Sequence, residues 1–298
     1  VKKFVLIRKV LHFILFFGLS ISVFAQDKTS PKHILWKVSS GQGVEGYLAG
    51  SIHLVKSDFY PLDSIFNTVF NKTNPIVFEL DSEKAKTGII SSFHLATYSK
   101  GDILKNHLDP DLYFKTQKHL VDIPFPNRKT LKPWFAAFLI MSLDSKDRGA
   151  TVGGLDDFFY KKAKKEGKVI VALETVEQQM NNFATMEEDL QIEFLKYTLK
   201  NRGKNEAKYE KMSQYWKTGN IKAIQKLLND KSFGQLANFS KKLNQSLVID
   251  RNQNWRKQLE SIFEKEKIPF IIVGMGHLIG KHNLIDMLEK DGYSVEQM

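Results

Sequence analysis

Two stretches near opposite ends of the chain share one order: an apolar strand-like run, Gly-x-x-His, an amphipathic helix, then another strand. The first is Gly46-Tyr47-Leu48-Ala49 running into Gly50-Ser51-Ile52-His53. A helix carrying Ile65, Phe66, Val69 and Phe70 follows, and then Ile76-Val77-Phe78-Glu79-Leu80-Asp81. The second is Pro269-Phe270-Ile271-Ile272-Val273 running into Gly274-Met275-Gly276-His277, with a short helix at Leu284–Leu288 and a last strand around Tyr293-Ser294-Val295. Short apolar runs bounded by turn formers read as buried strands, and strands alternating with helices make an α/β sheet. The repetition reads as a diverged duplication or as two equivalent units facing each other. If both strands lie in one sheet with carboxyl ends aligned, His53 and His277 emerge on the same rim, where open α/β sheets bind ligands. The glycine before each histidine permits a sharp turn and close backbone approach.

The remaining pattern is placed around those units. Ile34-Leu35-Trp36-Lys37-Val38 and Gly46–Ala49 flank Ser39-Ser40-Gly41-Gln42-Gly43, a hairpin signature. Asp63 or Ser64 caps the first helix. Residues 83 to 122 lack a long strand-like run, Pro133-Trp134 starts an apolar helix, and Gly153-Gly154-Leu155-Asp156 precedes an amphipathic one. Val169–Leu173 is a strand ending at Glu174. Val176 to Leu247 is helical in period with breaks near Gly203, Gly219 and Gly234, and a last long helix spans Val248 to Lys265. The predicted architecture is α/β: a central mixed sheet built from two strand–Gly-x-x-His–helix–strand units, with a largely helical middle forming a cap.

Residues 1–25 stand apart. Lys2, Lys3, Arg8 and Lys9 precede an apolar run from Leu11 to Phe24 and the small-residue site Val23-Phe24-Ala25, the pattern of a secretory signal peptide. The run is short for a membrane span, the alternative being an uncleaved anchor. The expectation is an exported protein, periplasmic or secreted, with residues 26–298 as a single domain and no stable membrane span. Without the four basic residues of that leader, the formal charge of +11 falls to +7. The excess lysines lie among glutamates on helices such as Lys161–Lys168, a solvated face, and export argues against nucleic acid as partner. The chain has no cysteine, so disulfides and a thiol nucleophile are excluded. Neither a Walker-type loop nor a Gly-x-Ser-x-Gly elbow is present.

Carboxylates at strand ends complete a candidate site. Two histidines with one or two of Glu79 and Glu174 are the ligand set of a catalytic divalent ion with an open water position. Such an ion acidifies its water while a nearby carboxylate takes the proton. Metal–ligand bonds are near 2 Å, so a shared site needs both rings and Glu79 within about 5 Å of one point. Asp81 and Glu177 are candidates to orient a ligand. Arg251 reads as an oxyanion donor, a clamp for a substrate carboxylate, or a salt bridge holding the last long helix to the cap. His33, His94, His107, His119 and His282 lie outside any strand-end turn and read as solvated.

The order of motifs resembles the TraB/GumN (PrgY) family over essentially all of residues 26–298. The matching residues are Leu35–Val38, Tyr47–His53, Val77–Asp81, Lys132-Pro133-Trp134, Gly154-Leu155-Asp156, Leu173–Gln179, Arg251-Asn252 with Trp255, Val273–Gly280 and Gly292–Val295. Lys281-His282-Asn283 departs from the acidic-glycine turn commoner there. That family is similar to the Tiki proteins, membrane-tethered metalloproteases that act on a signalling protein. It belongs to a fold group with erythromycin esterases and a haem-binding lipoprotein. The resemblance implies His53 and His277 as paired active-site histidines, Glu79 as strand-end acid, Arg251 beside them, and manganese, cobalt or zinc as metal. Three readings follow: a metal-dependent hydrolase of peptide or similar amide bonds with His53, His277 and Glu79 as ligands; a metal-free hydrolase in which a histidine activates water; and a non-catalytic peptide- or haem-binding protein lined by aromatics such as Phe135, Phe138, Phe158, Phe159 and Tyr160.

Overall fold

The structure, a computed structural model, describes residues 32–121, 128–147, 149–204, 206–228, 237–265 and 267–298. The leader, Pro124, Pro126 and Gly234 lie outside the described residues.

Among the described residues there are eight strands: β1 (Leu35–Ser40), β2 (Gly43–Ser51), β3 (Leu54–Val55), β4 (Ile76–Phe78), β5 (Val152–Gly153), β6 (Ile170–Ala172), β7 (Phe270–Gly274) and β8 (Ser294–Gln297). Six make one mixed sheet in the order β6-β4-β7-β2-β1-β8. β2 pairs with β7, β7 with β4 and β4 with β6, all parallel, while β1 is antiparallel to both β2 and β8. The α/β expectation holds, and the two Gly-x-x-His strands are immediate neighbours, Gly50 opposite Val273 and Ser51 opposite Gly274. The first hairpin turns tightly at Gly41-Gln42, with a register shift between Val38 and Ser39.

Every residue of β4 and β7 is buried, the signature of a parallel sheet covered on both faces. The covering comes from the helices Ser64–Lys72, Leu155–Lys165, Glu206–Lys217, Ile221–Leu228, Asp250–Phe263 and Leu284–Lys290, all with residues in one hydrophobic core. Phe159 stands 5.1 Å from Phe70 and 5.5 Å from Phe270 between ring centroids, locking one helix pair to the sheet. Asp63 is the cap of Ser64–Lys72, its Oδ1 accepting the Ile65 N–H at 2.9 Å.

The helical middle divides. A second core, from the helices Pro110–Leu120, Pro133–Asp147, Val176–Ala184 and Glu188–Asn201, contains Leu112, Trp134, Ile140, Met180 and Leu195 and no strand residue. The chain enters it just after Glu79 and again just after Glu174, so the cap grows from the rim. It is narrower than the pattern implies, because Leu155–Lys165 and Glu206–Leu228 pack on the sheet instead. The last long helix also differs from its expected start at Val248. Helical backbone is continuous from Ala237 to Phe263, through a π-helical turn at Gln245–Ile249 flanked by Asn244 and Asp250 in helical conformation. No described helix is long and apolar enough to cross a membrane.

Candidate active site

Topology alone brings four of the expected residues together. The turns that follow β2, β7, β4 and β6 carry His53, His277, Glu79 and Glu174, and those strands are parallel and adjacent. Arg251 joins from the first turn of Asp250–Phe263. The preceding π turn, an irregularity frequent at functional sites, offers it the Leu247 carbonyl.

Glu79 is the hub of the group. Its Oε1 accepts the Gly274 N–H at 2.7 Å and lies 3.9 Å from Nε2 of both His53 and His277. Its Oε2 accepts from Arg251 Nη2 at 2.5 Å. Arg251 also donates from Nε and Nη2 to the two oxygens of Glu174, at 3.1 and 2.6 Å. Its Nη1 reaches the Leu247 carbonyl at 3.0 Å and His277 Nε2 at 3.1 Å. A guanidinium has five N–H donors, and these contacts use them all. Of the roles expected for Arg251, the ion pair is the one this arrangement displays, with two sheet carboxylates as partners rather than the cap. Glu174 is drawn in behind Arg251, and its Oε1 also accepts from Gln179 at 2.9 Å.

Partners fix the tautomers. A carboxylate only accepts, so His53 Nδ1, 3.0 Å from Asp156 Oδ2, carries hydrogen, and in the neutral ring Nε2 turns a lone pair toward Glu79. A guanidinium only donates, so His277 Nε2 is the acceptor and its Nδ1 donates to Asn252 Oδ1 at 2.7 Å. Asn252 is fully buried and returns two bonds of 3.2 Å, to the carbonyls of His277 and His282. Trp255 backs the group, 4.4 Å from the His277 ring and 4.6 Å from the Arg251 guanidinium.

The two histidines sit in contrasting fields. Burial, helped by Arg251, pushes His277 down to about 3 against the pull of Glu79. Burial also opposes charge on His53, but the hydrogen bond and charge of Asp156, with Glu79, raise it to about 9. The outer side of that ring stays open, 59% of its side chain being exposed against 6% for His277. Burial alone would raise Glu79; the surrounding His277, Arg251 and His53 and the Gly274 N–H hold its carboxyl well below the usual range. Glu174 goes up, because burial outweighs Arg251 there.

Imidazole nitrogen and carboxylate oxygen are donors of a kind that suits a divalent ion. Gly274 keeps the space clear, since a Cβ there would lie 3.1 Å from both Glu79 Oε1 and His53 Nε2. Among the described residues no three such donors are drawn to ligand spacing. Each Glu79 oxygen already accepts a hydrogen bond, His277 Nε2 has Arg251 as partner, and His53 Nε2 faces Glu79 Oε1 at 3.9 Å.

Asp156, Asn252 and Ser51 belong to this centre; in sequence they lie inside the motifs Gly154-Leu155-Asp156, Arg251-Asn252 and Gly50-Ser51-Ile52-His53, with no role marked for them there. Ser51 Oγ donates to Asp156 Oδ1. A ligating histidine needs a partner for its second nitrogen, the one signal that would direct a search to them. Asp81 instead caps the helix Ser82–Ser91 and accepts from Tyr160 at 2.6 Å, and Glu177 is exposed. His94 and His282 are exposed as expected. His33 and His107 are not simply solvated: His33 pairs with Asp63 at 3.4 Å, and His107 sits between Asp102 and Glu188 at 2.8 Å each. His119 is likewise partly buried against Arg202.

No solved structure matches the chain. Similar curated proteins include the protein named Metalloprotease TIKI1 of Xenopus tropicalis, 25% identical over 317 residues that cover 88% of this chain and 60% of that one. Metalloprotease TIKI2 of Danio rerio is 24% identical over 84% of this chain and 58% of its own length. The Metalloprotease TIKI homolog of Nematostella vectensis is 22% identical over 91% and 68%. The chain thus spans about 60% of the first of these relatives. The TraB/PrgY/gumN family model matches residues 34–297, from the strand before the first Gly-x-x-His turn to the final strand, and the chain belongs to that family.

Proposed function

We propose that this protein is a hydrolase of peptide or similar amide bonds, working with a divalent ion (manganese, cobalt or zinc) held by His53, His277 and Glu79. The observation that carries the reading is the approach of both Gly-x-x-His imidazoles to one oxygen of Glu79, at 3.9 Å each, on the carboxyl edge of four parallel strands. Relatives named metalloproteases support the reaction class. When bound, the ion would supply Lewis acidity and a water acidified toward neutrality.

The chain's own residues do the rest. Asp156 and Asn252 hold the two imidazoles with Nε2 toward Glu79. Glu79, anchored by the Gly274 N–H and Arg251, is the one carboxylate here with an oxygen turned to both rings, so it ligates or receives a proton. Arg251 favours the ionised forms of Glu79 and Glu174 and adds to the burial that disfavours a proton on His277. As part of the same proposal, the basic-then-apolar pattern of residues 2–25 directs the protein out of the cytoplasm, where its substrate is a peptide or small molecule. Metal analysis with hydrolysis of a peptide library tests the reading. A protein that holds no divalent ion above background and cleaves nothing with manganese, cobalt or zinc added refutes it.

A second reading keeps the hydrolase without the ion. His53, open to solvent and backed by Asp156 at 3.0 Å, has the form of a carboxylate-supported base that takes a proton from water once its own proton is lost, near pH 9 in the metal-free protein. Activity that resists chelators and disappears in His53→Ala selects this version.

A further inference from the structure

Resting on the hydrolase reading, we infer that Asp156 is the positioning residue of His53, and that the turn Gly153–Asp156 is a mount for the first Gly-x-x-His histidine. One segment about a hundred positions away grips His53 on three sides. On the near side, Leu54 and Val55 pair with Gly153 and Val152 as β3 and β5. From behind, the Gly154 N–H donates to the His53 carbonyl at 2.9 Å. At the ring, Asp156 Oδ2 meets Nδ1 at 3.0 Å.

The mount is itself braced. Ser51 Oγ donates to Asp156 Oδ1, which turns the other carboxylate oxygen to the ring. The Tyr60 hydroxyl donates to the carbonyls of Gly153 and Gly154 at 2.7 and 3.0 Å. A side chain at residue 154 is impossible without moving the turn, because a Cβ would fall 1.7 Å from the Ile52 carbonyl oxygen. An acid in the first turn of a helix ordinarily serves the helix dipole. Asp157, next in line, does that and pairs with Lys161 on the exposed face; Asp156 instead is turned to the rim.

The second histidine has a different mount. Asn252 holds His277 with a neutral amide in a fully buried position, whereas Asp156 holds His53 with a carboxylate at the open edge. The two turns are alike in sequence and unlike in support. The carboxylate makes His53 the stronger donor of the pair, since a carboxylate on the second nitrogen fixes the tautomer and raises ligand basicity.

The test compares wild type with Asp156→Leu, Asp156→Asn and the control Asp157→Leu. Zinc and manganese affinity are measured by competition with a chromophoric chelator, and thermal stability is recorded for each. Loss of such a partner lowers metal affinity about 10- to 100-fold, so Asp156→Leu should show that loss. Asp156→Asn keeps an acceptor oxygen and should fall between it and wild type. Asp157→Leu should bind as wild type does. Asp156→Leu binding within about twofold of wild type, or Asp157→Leu losing as much, overturns the assignment. If wild type holds neither metal, the proposed metal site fails on its own. The mount is then read from imidazole ¹⁵N shifts of His53 in alkaline buffer: hydrogen on Nδ1 in wild type and a tautomer mixture in Asp156→Leu support it, and one unchanged tautomer overturns it. Should Asp156→Leu not fold, Asp156→Ala, which also removes the acceptor, carries the same NMR comparison.

Discussion

Replacing Arg251 with methionine removes the one positive charge fixed among the carboxylates of the rim. The side chains of Arg251, Glu79 and Glu174 are 10%, 11% and 6% exposed, so water cannot take the place of the lost partner. Breaking a buried ion pair by deleting one member costs about 3–5 kcal/mol, because the other charge is left uncompensated. Two carboxylates are stranded here, which places the expected loss at the upper end, about 5 kcal/mol. With about 2–4 °C of melting temperature per kcal/mol for chains of this size, the shift should be roughly 10–20 °C. Differential scanning calorimetry on metal-free protein measures it. Arg251→Lys keeps the charge but offers three rotatable donors in place of a five-donor fork, so its loss should be about half as large. Adding Glu174→Gln to Arg251→Met removes one stranded charge and should recover at least about 1 kcal/mol, a coupling expected only of residues in contact. If Arg251→Met melts within about 2 °C of wild type, or the second change gives no recovery, the network does not hold the rim together and the account of Glu79 as an ionised hub is wrong.

Asn252→Leu leaves His277 Nδ1 and two carbonyls without their partner in a fully buried place; unfolding in urea should register a loss of about 2–4 kcal/mol, with hydrolysis abolished. Gly274→Ala puts a methyl group 3.1 Å from Glu79 Oε1 and His53 Nε2. It should weaken zinc binding on the order of tenfold or more while the melting temperature moves little. The pH dependence of the metal-free protein follows from His53. A histidine raised from 6.5 to about 9 on folding contributes stability that is whole below 6.5 and disappears as pH climbs through 9. Wild type should therefore lose stability across that interval, and His53→Gln should flatten this part of the profile in pH-resolved melts.

How much of this was legible beforehand depended on the kind of contact. The strands around Val77, Val171 and Ile272 are continuous apolar runs, and such runs declare buried parallel strands without help from tertiary structure. His53, Glu79, Glu174 and His277 each follow such a run, so their shared rim follows from strand direction. Asp156 and Asn252 lie in matched motifs, yet no strand-end position ties them to the site. One sits in the first turn of a helix, where an acid is unremarked, and the other inside a helix among lysines and glutamines. Only the fold brings them to the histidines, across 103 and 25 positions. Helix ends near Asn244 were illegible for a related reason: a π turn changes the hydrogen-bond ladder without changing the hydrophobic period strongly. The cap was overdrawn because helical periodicity says that a helix has an apolar face and not which core receives it; Phe159 and Trp216 went to the sheet, Trp134 and Leu195 to the other core.

The position of β7 between β2 and β4 has a consequence for biosynthesis. Strands β2 and β4 are made early, yet neither touches the other; each pairs with β7, at residues 270–274. Until that segment has been made, the middle of the sheet is an open slot, His277 does not exist, and Glu79 lacks the Gly274 N–H that anchors it. A ribosome-bound chain not yet extended through this segment therefore has no assembled rim. Nonlocal pairing of this kind is slow to form, and here it works as a timing device: the rim can close only once residues 270–274 have been delivered.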